Sequence, residues 1–259
     1  AEKHGRPALI KPAMFNRTLI IANVSTFCLY FAFQGVLFLL SLNLQQLQGF
    51  SATRAGFLMM PATILIPFLS GPSGALTDKK GPALQLRLGP FLFTLGAVLL
   101  LAGGVNASYI SAFLPGMIIL GLGMVTVIPA ITNAALLTSA EYSGTASGVN
   151  NAAARIAGLF AVALSGGILA AGFRINLMNN LEPLNLAKPV MKTIIDSAGS
   201  LLEAPVPDSL SENTQQLVVT ARQAAYASSY RLAIGLNASA AAVSAGVGWL
   251  LPGKSSKTK

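Results

Sequence analysis

The chain has 259 residues, 53% of them hydrophobic and only 10% charged, with 17 Lys and Arg against 8 Asp and Glu for a net charge of +9. Its mean hydropathy is +0.65, whereas soluble domains carry about a quarter charged residues, so the balance excludes an ordinary water-soluble fold and points to lipid as the solvent. His4 is the single histidine and Cys28 the single cysteine, which excludes a Ser/His/Asp triad, a multi-histidine metal site and an internal disulfide.

In chain order, residues 1–17 form a polar segment without the apolar core of a secretory signal, and the start at Ala1 rather than Met fits a fragment or a processed end. Six apolar blocks follow, at 18–42, 55–76, 86–104, 109–137, 147–172 and 226–251. Each is close to the ~20 residues that cross a bilayer as a helix. Pro61, Pro67, Pro72, Pro115 and Pro129 lie inside them; membrane bundles tolerate such prolines because neighbouring helices satisfy the freed carbonyls.

The first block carries Asn23, Thr26, Tyr30 and Gln34 at helical spacing, with Phe27 and Phe31 beside them. That face suits either the lining of a polar-aromatic cavity or interhelical hydrogen bonds, worth about 0.6 kcal/mol each in membrane proteins. Cys28, in the same block, reads as a small buried apolar residue. Between the second and third blocks, Gly74-Ala75-Leu76-Thr77-Asp78-Lys79-Lys80-Gly81-Pro82 predicts a glycine-assisted tight turn with a charged knot. Asp78 there is either an acid that caps the positive end of a neighbouring helix and holds one conformational state, or part of a polar turn that topology alone requires. Thr126 and Asn133 add polar groups to the fourth block, and Asn150, Asn151 and Arg155 to the fifth. Arg155, about two turns into its span, suits snorkelling or pairing with an acid outside the chain.

Residues 173–225 form the one long polar connection. Val190, Ile194, Ala198 and Leu201 predict a short amphipathic helix lying at the membrane surface, and Ser209 with Glu212 has capping-box spacing for a helix that runs into the last span. The segment is either a lid over an outer vestibule or, as its composition favours, a partly ordered connector. In the last block, Ala238, Ala242 and Gly246 predict a face for close helix packing, and residues 252–259 form a basic tail.

Placing both ends on one side groups Lys3, Arg6, Lys11 and Arg17 with Lys79, Lys80, Arg87, Lys254, Lys257 and Lys259, and leaves Arg54 alone on the short opposite loops. By the positive-inside rule both termini are then cytoplasmic and 173–225 is extracytoplasmic. Tyr109, Tyr226 and Tyr230 fall at the expected outer boundary and Trp249 at the inner one. The positive charge serves topology and attraction to anionic lipid, not nucleic acid.

Three stretches carry a family resemblance. Gly74-x-Leu76-x-Asp78-Lys79-x-Gly81 is similar to the loop after the second helix of a six-helix half in major facilitator superfamily transporters. Gly121-x-Gly123 and Pro129, then Gly144-Thr145-Ala146-Ser147-Gly148-Val149-Asn150-Asn151 and Arg155, resemble the fourth-to-fifth helix junction of the C-terminal half of the 14-helix drug:proton antiporters, the QacA and EmrB type. Phe38 to Gln46, Gly49-Phe50-Ser51 and Ala55-Gly56 resemble their first-to-second helix junction. The resemblance runs from Phe15 to Leu251.

What it implies is an all-α polytopic membrane protein, six transmembrane helices as two three-helix inverted repeats, forming the C-terminal half of a proton-coupled multidrug-type exporter that works by alternating access. Gly74, Asp78, Lys79 and Gly81 would be a conformational latch, and Asn23, Thr26, Tyr30, Gln34, Asn133, Asn150, Asn151 and Arg155 candidates for the substrate cavity. The expected partners are the bilayer of the cell membrane, the N-terminal half, a small amphipathic or cationic substrate and protons, with no cofactor, metal or enzymatic reaction. A homo-oligomeric six-helix channel or half-transporter is the alternative. Two departures matter: Ser165-Gly166-Gly167 stands without the Gly-Pro pair of the antiporter motif, and no Asp or Glu lies within a predicted span. A coupling carboxylate would have to come from the other half.

Overall fold

The computed structural model describes residues 16–136, 142–207 and 209–251, and among them every regular element is helical. Most of the basic N-terminal segment, the basic tail 252–259, Asp208 and Glu141 lie outside the described residues. The chain folds as α1 (Arg17–Leu42), α2 (Ala52–Met59), α3 (Leu65–Lys80), α4 (Ala83–Leu99), α5 (Leu114–Leu136), α6 (Ser143–Leu181), α7 (Lys188–Asp196) and α8 (Glu212–Gly248). Five helical stretches among the described residues are long and apolar enough to cross a membrane: 17–47, 52–80, 83–102, 109–134 and 143–184. The 37-residue α8 is not among them, because Ser, Asn and Arg dilute its apolar content.

The second apolar block is not one helix. Pro61 opens a 3-10 turn, Met60–Ala62, and Thr63 leaves helical geometry before α3 begins. A proline removes one ladder hydrogen bond and crowds the carbonyl a turn earlier, so the rod breaks there. At the C-terminal end of α1 the chain winds into a π-turn, Asn43–Leu47, then reverses at Gly49, whose φ of +70° favours glycine. Ser51 caps α2 by accepting from Arg54 N–H at 3.3 Å.

Contacts between helices fix their directions. α1 and α6 advance together, Thr26 meeting Asn150, Gln34 meeting Gly158 and Phe38 meeting Gly166, so they run parallel. α8 runs against both: Ser25 meets Ser244 while Gly35 meets Asn237, and Asn237 bonds Ser165 while Ser229 bonds Asn176. α4 opposes α8, with Arg87 at Gly248 and Leu101 at Arg231, and opposes α5 as well. The α2–α3 arm runs with α5, from Ala62 at Gly121 to Gly74 at Pro129. Among the described residues α1, the α2–α3 arm, α4, α5, α6 and α8 thus alternate in direction through one bundle.

The α4–α5 seam is built from glycine. A Cβ on Gly96 would stand 2.7 Å from the Gly116 carbonyl, and one on Gly116 2.9 Å from that of Gly96; Gly89 and Gly123 face each other in the same way, at 3.0 and 2.8 Å. Lipid offers helices no hydrophobic gain from associating, so close backbone approach through small residues supplies the van der Waals contact that holds them.

The segment 173–225 differs from the expected connector. α6 continues to Leu181, α8 begins at Glu212, and α7 with a 3-10 turn, Ser197–Glu203, fills most of the interval. The amphipathic face is present, but Ile194, Ala198 and Leu201 are buried in the main core with Val218 and Ala221, not laid on a membrane surface. The cap of α8 is Ser211, which accepts from Thr214 N–H at 3.4 Å, in place of Ser209. Tyr226 and Tyr230 are wholly buried instead of sitting at an interface, because α8 turns them onto the core, where Tyr226 meets Phe173 edge-on. The packing face of α8 includes Asn237, Ala238, Ala241, Ser244 and Gly248; of the predicted small residues Ala238 is buried, whereas Ala242 and Gly246 are exposed. Small-residue spacing placed Ala238 on the buried face but put Ala242 and Gly246 off it.

Candidate functional site

The expected cavity residues of α1 lie along its seam with α6. Thr26 is fully buried, and its Oγ1 sits 2.8 Å from the Ala22 carbonyl and 2.7 Å from Asn150 Oδ1. The second contact makes Thr26 and Asn150 an interhelical pair. Asn23 is half-buried; its Nδ2 donates to the Leu19 carbonyl at 2.8 Å and its Oδ1 has no partner. Tyr30 is half-buried beside a small cluster of Phe31, Ala157 and Ala161. Gln34 is exposed, its stem 3.2 Å from where a Cβ on Gly158 would stand. A larger residue at 158 would push Gln34 away from the seam.

On α6, Asn151 and Arg155 are exposed and one turn apart, with Asn151 Nδ2 donating to the Ser147 carbonyl at 3.1 Å. Arg155 makes no ion pair among the described residues. Asn133, on α5, is half-buried and not bonded to this group. The structure therefore brings Thr26 and Asn150 into contact, keeps Asn23, Tyr30, Gln34, Asn151 and Arg155 along the same pair of helices, and leaves Asn133 on a third. Gly144 to Asn151 form the first turns of α6 rather than a loop.

The loop motif is also helical for most of its length. Gly74 through Lys80 are the last turns of α3, and the reversal is confined to Gly81, at φ +80°, and Pro82. Gly74 lies within α3 and not in the turn, and a Cβ there would stand 4.0 Å from Pro129 Cβ of α5. Asp78 and Lys79 are exposed at the end of α3. Lys79 and Lys80 stand in the last turn of α3, where positive charge complements the free carbonyls; Asp78 is in the same region and opposes that field.

Beneath Asp78 lies a polar knot that sequence reading did not single out. Thr77 and Gln85 are buried; Thr77 Oγ1 bonds Gln85 Oε1, and Gln85 Nε2 donates to the Ser73 carbonyl and to Ser73 Oγ, both at 2.9 Å. It ties the end of α3 to the start of α4. A glutamine just after the turn, at the head of an apolar block, was the available signal. Arg87, counted only for topology, caps α8: its Nη2 donates to the Leu251 carbonyl at 2.9 Å, its Nε to that of Gly248 at 3.3 Å, and the guanidinium lies 4.7 Å from the Trp249 ring centre. In the middle of the bundle Asn237 Nδ2 donates to Ser165 Oγ at 2.9 Å, and Ser25 and Ser244 share a bond of 2.7 Å.

An all-helical bundle with apolar passes, glycine seams and interhelical polar pairs defines a multi-pass membrane protein. The sequence profile of the Major Facilitator Superfamily matches residues 1–162, and the chain belongs to that superfamily. It is 27% identical over 203 residues, 76% of its length, to the multidrug resistance protein Stp of Mycobacterium tuberculosis, in two strains. It is 30% identical over 173 residues, 64% of its length, to a probable actinorhodin transporter of Streptomyces coelicolor. The chain spans 37% of the length of the first relative and 29% of that of the second.

Proposed function

We propose that the chain is the C-terminal half of a proton-coupled, multidrug-type exporter that works by alternating access. The observation that carries this reading is the combination of membership in the superfamily with a match to 37% of a multidrug resistance protein. The α2–α3 arm adds support: only 11% of its most apolar stretch is buried, against 56% for α5. An arm so thinly covered suits a surface that meets another half. In this reading α8 is the sixth span, the passes form two three-helix repeats of inverted topology, and both termini are cytoplasmic in the cell membrane.

The substrate would be small and amphipathic or cationic, held near the midplane between the halves. Tyr30, Gln34, Asn151 and Arg155 are the candidates with exposed surface for that role, with Asn23 beside them and Asn133 on the neighbouring helix. Thr26 and Asn150 act in positioning, because each occupies the other. Asp78 and Lys79 act as the latch, with Gly74 and Gly81 setting the geometry of the α3 end. Protons would be handled by carboxylates of the other half, since the predicted spans here hold none.

The test is dye extrusion by the full-length protein in membrane vesicles with an imposed proton gradient. Ethidium efflux should depend on the gradient and stop with a protonophore; efflux indifferent to the gradient would remove proton coupling. Asp78→Asn should slow efflux about tenfold while leaving membrane insertion intact, since one conformational contact is worth roughly 1–3 kcal/mol. Unchanged efflux would end the latch role. A tag after Lys259 should stay inaccessible from outside intact cells.

A further inference from the structure

Residues 182–207 and 209–211 form a cap over the end of the bundle, fastened to α8 by an arginine that makes no ion pair among the described residues. Arg222 is 3% exposed. Its Nη1 donates to the Ala204 carbonyl, and its Nη2 reaches Ser197 Oγ at 3.3 Å and the Pro205 carbonyl at 3.4 Å. Its Nε–H has no acceptor. Carbonyl and hydroxyl dipoles satisfy N–H groups but leave the net charge standing, and a buried cation without a counter-charge is costly. No carboxylate among the described residues is bonded to it. Glu203, next in the chain to Ala204, instead accepts from Gln46 Nε2 at 3.1 Å on the exposed rim. Burial accordingly pushes the Arg222 guanidinium below its usual range.

A second observation lies beside it. A cavity of about 140 Å³ opens between the cap and α8, lined by Gln46, Leu202, Val206, Val219, Arg222 and Gln223, with Ala204. Gln46 brings another buried atom without a partner, its Oε1. One cavity is therefore lined by two residues that each hold an unmatched group, a charged donor and a neutral acceptor. Its volume is roughly that of four waters in the liquid. A monovalent ion with one or two waters fits, whereas drug-sized ligands need about 300 Å³ or more. Arg222 repels cations. An anion facing Nε–H would supply both the missing acceptor and the missing charge, and a water of its hydration could donate to Gln46 Oε1.

We propose that Arg222 and this cavity form a binding site for a small monovalent anion, of halide or carboxylate size, which locks the cap onto the first turns of α8. The test is thermal unfolding of the full-length protein at fixed pH and ionic strength, with sodium gluconate, too bulky for the cavity, replaced by sodium chloride or sodium acetate. A saturable rise of about 5 °C is expected with at least one of the two, and the anion with the lower half-saturating concentration sets the size class. Arg222→Gln should abolish the rise. Because that variant can fail to fold, Val206→Phe serves beside it: it fills the cavity with Arg222 in place and should raise the half-saturating concentration at least tenfold. Equal unfolding temperatures in all three salts would leave only water in the cavity and overturn the proposal, as would a saturable rise unaltered by Val206→Phe.

Discussion

The α4–α5 seam and the α2–α3 arm are both apolar helical pairs, yet they are put together in opposite ways. At the seam, glycines stand so close to facing backbone that no side chain fits: a Cβ on Gly96 would come 2.5 Å from Leu120 N, and one on Gly123 2.6 Å from Phe93 N. On the arm, Gly56 and Gly71 have nothing within 4 Å, and Phe57 and Phe68 are largely exposed. The same residue type thus has two uses. In one region it permits backbone contact; in the other it stands on a surface that the described residues leave uncovered. The difference teaches that glycine content alone does not locate a helix interface, and that this chain's own contacts fix one side of the bundle while leaving the other open.

The sharpest way to break that comparison is to add a side chain at the seam. Gly96→Val or Gly123→Val should abolish the folded, monodisperse peak in size-exclusion chromatography, since the clash is with backbone, which cannot swing aside. A normal peak would mean that α4 and α5 are farther apart than described. Next comes the polar centre. Asn237→Ala removes the bond to Ser165 and empties the space against Gly35; it should cost about 1–2 kcal/mol in a reversible unfolding assay.

A smaller effect is expected between α1 and α6. Thr26→Val and Asn150→Ala, combined in a double-mutant cycle, should show a coupling of about 0.6 kcal/mol. Zero coupling would return Thr26 to the cavity and remove it from the seam. Last, Gly71→Ala on the arm should change stability by no more than about 0.5 kcal/mol, because the methyl group meets open space. A large loss there would show that the isolated chain already covers the arm.

Much of the bundle was legible in the sequence because crossing lipid demands long apolar helices, and apolar length survives in composition. The first block and α1 differ by one residue at the start, and the amphipathic helix near Val190 is present as α7. Phase was less legible. Ala238 is buried as its spacing suggests, but Ala242 and Gly246 are exposed, and the rest of the packing face is Asn237, Ala241, Ser244 and Gly248. In lipid the outward and inward faces are both apolar, so the polarity contrast that marks a buried face in water is missing. Tyr226 and Tyr230 were misplaced for a related reason: a tyrosine near the end of an apolar run suits an interface or a core equally well until its neighbours are known.

The candidate site divides along the same line. Asn23, Thr26, Tyr30 and Gln34 could be placed on one face of α1 from spacing alone. Only the tertiary structure showed that Asn150 occupies Thr26, that Gln34 rests on Gly158, and that Thr77, Gln85 and Ser73 knot together under Asp78. Arg87 and Arg222 could be counted as charges, but not as a helix cap and a buried cation without an ion pair among the described residues. By itself the sequence determined the solvent, the helical class and the order of the passes, because these depend on composition and on motifs local in the chain. Which faces touch, which polar groups are partnered and which arginine is buried against backbone carbonyls depend on residues far apart in the chain meeting at a few ångströms, and the fold alone decided them.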